Sequence, residues 1–173
     1  LHLVPFPSAL QVPRRFSLDA NGNFSFMGRE KFGELHAHVS QLERPGESVS
    51  LVGTMGFGKS HTLAAMTVLF QRQHWIEGSA TRVVYISGCA KYVQNPFDVL
   101  VGALAVTFAR DPVTLSKLGG CADLPDVVYL CRSQPAGTLL FVLDQAHVLG
   151  VEVNEQARTH MALTTSLHRI VTA

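Results

Sequence analysis

Gly53-Thr54-Met55-Gly56-Phe57-Gly58-Lys59-Ser60 puts three glycines ahead of a lysine and a hydroxyl, in the phosphate-binding pattern G-x-x-x-x-G-K-[ST]. The glycines let the backbone turn with no Cβ in the way, so successive N–H groups can converge on phosphate oxygens at the positive end of a following helix. Lys59 adds a point charge for the β and γ phosphates, and the Ser60 hydroxyl suits Mg²⁺. His61 follows directly and is counted with this cradle. The bland alternative is a glycine turn that happens to precede Lys-Ser.

A second candidate lies far along the chain. The apolar run Leu139-Leu140-Phe141-Val142-Leu143 ends in Asp144, where a carboxylate can hold Mg²⁺ directly or through water. Hydrolysis also needs a group that orients or deprotonates the attacking water. Glutamate often follows such an aspartate, but here the neighbour is Gln145, which can orient water and is a poor base. Gln145 and His147 are the local candidates, with Glu152 and Glu155 behind them; all of these could equally only cap or line the loop. Gly28-Arg29, within Phe26-Met27-Gly28-Arg29-Glu30, is placed to sit against the base and ribose of a nucleotide, or else to make a turn and a salt-bridged helix start. No Asn-Lys-x-Asp segment occurs, which favours ATP over GTP.

The elements that must position these residues follow from periodicity. Phe32, Leu35, Val39 and Leu42 recur at helical spacing from Glu30 and stop at Pro45-Gly46. Ser48 to Val52 reads as a strand, and a helix runs from Lys59 to about Gln73. Arg82 to Ser87 is a second strand, and Asn95-Pro96 caps a helix to about Arg110. A helix is expected from Pro125, a strand from Thr138 to Leu143, a helix from Asn154 to His168 and a strand from Arg169 to Ala173. Alternation of this kind predicts an α/β domain with a parallel sheet covered by helices on both faces. Residues 1 to 23, with Pro5, Pro7, Pro13 and Asn21-Gly22-Asn23, read as an extended or loosely attached lead-in rather than a packed element, which leaves 24 to 173 as the domain.

Composition narrows the classes. With 173 residues, 47% of them hydrophobic and 16% charged, the chain can bury one ordinary core. A net charge of +1 offers no field to attract nucleic acid or an anionic membrane nonspecifically. The apolar stretch Val99 to Ala109 is far short of the roughly 20 residues a membrane span needs, and Leu1 to Leu10 lacks the cationic start of a signal peptide. Cys89, Cys121 and Cys131 have no zinc or redox spacing and read as reduced thiols of a cytoplasmic or nuclear compartment. His36, His38, His61, His74 and His160 complete no tetrahedral set and read as ordinary helix or surface histidines.

The Gly-Arg-Glu box, helix, strand, phosphate loop and later apolar strand ending in Asp144 together resemble P-loop ATPases of the AAA-plus and signal-transduction type. More narrowly, Leu51 to Leu63 with Leu143-Asp144-Gln145 looks like the NTPase module of Crinkler effectors and the related retrotransposon hot spot proteins. The resemblance implies a sheet of order 5-1-4-3-2, with residues 169 to 173 in the middle strand and the fifth strand not seen. It also implies phosphate binding from Gly53 through Ser60, Mg²⁺ at Ser60 and Asp144, and a catalytic role near Gln145 beside Lys59 and Asp144. The expectation is a Mg·ATP-binding domain that hydrolyses ATP to ADP and phosphate and drives a partner protein or downstream domain, which for a Crinkler-like protein acts in a host nucleus. A module that binds ATP without turnover is the alternative, with a small-molecule kinase behind it, disfavoured by the scattered arginines after Ser60. A chain that opens on Leu1 and stops before any sensor or arginine finger is expected to be a fragment, short at its C-terminal side.

Overall fold

The computed structural model describes residues 2–6, 12, 16–42, 47–146 and 169–172. Four parallel strands make the main sheet: β3 (Ser48–Ser50), β4 (Arg82–Ile86), β5 (Leu139–Leu143) and β6 (Arg169–Thr172). Their order across the sheet is β3-β6-β5-β4, so the segment that ends the chain inserts between the first strand and the one leading to Asp144. Register aligns the carboxyl ends in one row: Ser50 opposite Thr172, Thr172 opposite Leu143, Leu143 opposite Ile86. The loops that leave β3, β4 and β5 therefore emerge at one edge, where ligands of open α/β sheets bind.

The sheet is covered on both faces, and its period-two alternation decides which residue faces which layer. Val84, Ile86, Leu139, Phe141 and Leu143 join a core with α3 (Cys89–Gln94), α4 (Pro96–Thr107), α5 (Pro112–Gly119) and α6 (Leu124–Arg132). Val83, Tyr85, Leu140 and Val142 face the other layer, made by α1 (Phe32–Ser40), α2 (Lys59–Glu77) and a two-stranded ribbon of β1 (His2–Pro5) and β2 (Asn23–Phe26). All five β5 residues are buried, as a strand covered on both faces requires. β3 departs from that pattern, with Ser48 and Ser50 exposed.

Side-chain caps set the starts of the helices after β4. Asn95 accepts from Asp98 N–H, Asp111 from Thr114 N–H and Asp123 from Asp126 N–H, each just ahead of a proline in the first turn. α3 and α5 lie in stretches where no helix was expected. α2 runs beyond Gln73 to Glu77, where Gly78 takes the left-handed conformation, φ 74°, that ends helices.

The lead-in requires correction for residues 2–6. β1 pairs antiparallel with β2, Phe6 N–H donates to Gly22 O, and Phe6 is 5% exposed against Phe24 and Tyr85. Apolar side chains outweigh the prolines here because the ribbon closes one side of the core. The helix expected from Asn154 to His168 lies outside the described residues. Among the described residues no helix is long and apolar enough to cross a membrane.

Candidate functional site

The glycine loop joins β3 to α2 at the carboxyl edge of the sheet. Gly56 and Gly58 adopt φ 84° and 77°, values L side chains resist, and these reverse the chain into the helix. Gly53 serves a different purpose, since a Cβ there would come within 3.2 Å of the Phe57 ring. α2 begins after Gly58 with no side-chain cap and no acidic residue of its own in the first turn, so no side chain of the helix offsets its positive end. Lys59 Nζ folds over the loop and donates to Gly53 O at 2.8 Å and Thr54 O at 3.0 Å.

Asp144 meets this helix from the end of β5. Ser60 Oγ donates to Asp144 Oδ1 at 3.0 Å, and the same oxygen accepts Gln145 N–H at 2.9 Å. The Asp144 backbone is held as well, its N–H on Ile86 O and its O accepting Cys89 N–H. The carboxylate is 3% exposed. Its charge adds to burial in pushing the Cys89 thiol up to about 12, and the Tyr85 hydroxyl is raised for the same two reasons. Gln145 has φ 62°, the one positive value among non-glycine residues described.

Two cavities flank the loop. One, about 530 Å³, brings together Met55 through His61 with Asp144 and Gln145, and Phe16 forms part of its wall. The other, about 450 Å³, lies on the α1 side and is lined by Arg29, Phe32, Leu35, Leu51 and Val52. Phe57 and Lys59 line both. Gly28 lines neither, while Arg29 donates to Phe57 O and lays its guanidinium 4.2 Å over the Phe57 ring.

His61 stacks on Phe16 with ring centroids 4.1 Å apart, and burial lowers its pKa while Asp144 pulls the other way. Phe16 is a site residue that sequence reasoning missed. The only signal was the number of large apolar residues, Phe6, Phe16 and Leu18, in a stretch rich in proline. His147, Glu152 and Glu155 lie outside the described residues. His36, away from the site, stacks on Phe70 and places Nε2 3.4 Å from Gln73 Oε1. Comparison with models of known protein families finds no match, and comparison with curated proteins finds none either.

Proposed function

We propose that this chain binds Mg·ATP at Gly53 to His61 and hydrolyses it slowly to ADP and phosphate. The observation that carries the reading is the 3.0 Å hydrogen bond from Ser60 Oγ to Asp144 Oδ1, which joins the first turn of the helix behind a glycine loop to a carboxylate 84 positions away. Further support comes from the sheet. Counted from Ser48, its strands stand in the order first, fourth, third, second, in keeping with the P-loop ATPase resemblance and its 5-1-4-3-2 order.

In this reading the loop N–H groups and the uncapped start of α2 accept the phosphates, and Lys59 moves from the carbonyls it now contacts to the β and γ oxygens. Ser60 and Asp144 offer the hard oxygens Mg²⁺ prefers. Among the described residues no three His, Cys, Asp or Glu converge on a metal site, so phosphate and water would complete the shell. When bound, Mg²⁺ would neutralise charge that builds on the phosphates. The α1-side cavity, with Phe32, Leu35, Leu51 and Val52 beside Arg29, suits a nucleobase.

Gln145 lines the Asp144 cavity and would orient the attacking water without accepting its proton. With no general base among the described residues that line this cavity, the rate is lower by about 10²- to 10⁴-fold, hence slow turnover. The alternative, a module that binds ATP as a switch for a partner domain without hydrolysing it, is favoured by one observation: Asp144 is the single carboxylate among the described residues lining that cavity.

The test measures Mg·ATP affinity and turnover for the purified chain, Lys59→Ala and Gln145→Ala. Hydrolysis lost in both variants, with binding weakened only by Lys59→Ala, supports the ATPase reading. Tight binding without turnover favours the switch. ATP that does not bind at all sinks both.

A further inference from the structure

Arg29 reaches the glycine loop from outside. Its guanidinium donates to the Phe57 carbonyl and lies flat over the Phe57 ring, 4.2 Å from the centroid. The same group occupies the space beside Gly58, where an added Cβ would stand 3.0 Å from Arg29 Nη2. The loop turns at this point, and 28 positions of chain separate the two partners.

A trans peptide points its C=O and the following N–H in opposite directions. No cis bond occurs among the described residues, so fixing the Phe57 carbonyl toward Arg29 fixes the Gly58 N–H away from it. Arg29 lines only the α1-side cavity, whereas Gly58 lines the one shared with Ser60 and Asp144. We infer that Arg29 is a positioning residue that preorganises the phosphate cradle by pinning the Phe57 carbonyl outward, so that the Gly58 N–H is aimed at the anion before it arrives. This rests on the loop being a phosphate site. It assigns Arg29 to the loop backbone, where its position in the sequence suggested the base and ribose.

A guanidinium suits this task because one planar group donates to the carbonyl and stacks on the adjoining ring. Phe57 thereby has a use its place in a glycine loop does not suggest. It is half-exposed, with no core to fill, and its ring holds Arg29 in register with its own carbonyl.

The test is calorimetric titration with two probes, inorganic tripolyphosphate and ATP, each with Mg²⁺, against wild type, Arg29→Ala, Arg29→Lys and Phe57→Leu. Tripolyphosphate has no base or ribose, so a residue acting through the loop weakens both probes by one factor. Arg29→Ala is expected to cost about tenfold for each, equivalent to about 1.4 kcal/mol. Arg29→Lys should recover part of that, because an ammonium can donate to the carbonyl but cannot lie flat on the ring. Phe57→Leu should give a smaller loss, again equal for both probes. A loss confined to ATP overturns the inference and returns Arg29 to the base or ribose, and unchanged affinity for both overturns it as well. If Arg29→Ala does not fold, judged by its thermal transition, the same comparison is read from Arg29→Lys and Phe57→Leu. Failure of wild type to bind either probe overturns the phosphate-site reading itself, and is seen before any variant is compared.

Discussion

Ser60 Oγ and Asp144 Oδ1 stand 3.0 Å apart, although 84 positions of chain separate them, and the same carboxylate oxygen also accepts the Gln145 N–H. One acceptor thus ties the first turn of α2 to the loop that leaves β5. Register explains the meeting. Ser50, Thr172, Leu143 and Ile86 form one row across the sheet, so whatever follows β3 and β5 is delivered to the same edge. The hydroxyl and the carboxylate are the two protein groups that the proposed metal site requires.

Replacing Asp144 by Asn separates charge from shape. The amide oxygen can still accept from Ser60 and Gln145, while the negative charge at a 3% exposed position is gone. Thermal stability should hold or rise, because an ionised carboxylate is costly to bury. The Mg²⁺ dependence of ATP affinity should fall by at least about tenfold, the order seen when metal sites lose a supporting group. Calorimetry with and without Mg²⁺ checks this, and an ATP affinity that keeps its full Mg²⁺ dependence would remove Asp144 from the metal site.

Gln145 carries φ 62°, a left-handed conformation that costs a side-chain-bearing residue about 1–2 kcal/mol. Gln145→Gly removes that strain but loosens the unfolded chain by about 0.5–1 kcal/mol. The net expectation is a stability equal to wild type or higher by up to about 1.5 kcal/mol, together with loss of ATP turnover as the water-orienting amide disappears. Chemical denaturation and a phosphate-release assay should therefore move in opposite senses. A destabilised variant would indicate that the Gln145 side chain holds the loop, and activity retained would reassign the water.

The loop, its flanking elements and the β5–Asp144 segment were legible because each is specified locally: glycines before Lys-Ser, a run of large apolar residues, a carboxylate at its end. α3 and α5, of 6 and 8 residues, were not, since they are too short for periodicity to register. The Asp111-Pro112 pair starting α5 has the same cap logic as Asn95-Pro96 and could have been read. β1 escaped because its partner β2 comes only after a stretch rich in proline and turn residues, and pairing between them depends on tertiary packing of Phe6 rather than on any local pattern. Likewise Phe16 on His61 and Arg29 on Phe57 are contacts between elements. Spacing along a chain carries no information about them.

Two buried hydroxyls should respond oppositely to removal. Tyr92 is fully buried beside the α4 and α6 layer, and its hydroxyl has no hydrogen-bond partner among the described residues; burial raises its pKa. Thr107 Oγ1 instead shares its proton between Val83 O at 2.8 Å and Ala103 O at 2.9 Å, tying α4 to β4. Tyr92→Phe should leave stability unchanged or raise it by up to about 1 kcal/mol, and Thr107→Val should lower it by about 1 kcal/mol. Denaturant midpoints decide. A clear loss in Tyr92→Phe would mean that the hydroxyl has found an acceptor.

His61 should give the fold a pH dependence of known sign. Burial against Phe16 lowers its pKa below the ordinary 6.5, with Asp144 opposing in part, so the folded chain binds fewer protons than the unfolded one between the two values. Stability from this group is complete above 6.5 and declines as pH falls through the lowered native value. His61→Phe keeps a ring on Phe16 and removes the titration. Between about pH 8 and pH 5 the wild-type urea midpoint should fall relative to that of the variant, whichever of the two is the more stable at neutral pH. A wild type whose midpoint gains on the variant with acidification would show that Asp144, and not burial, governs this histidine.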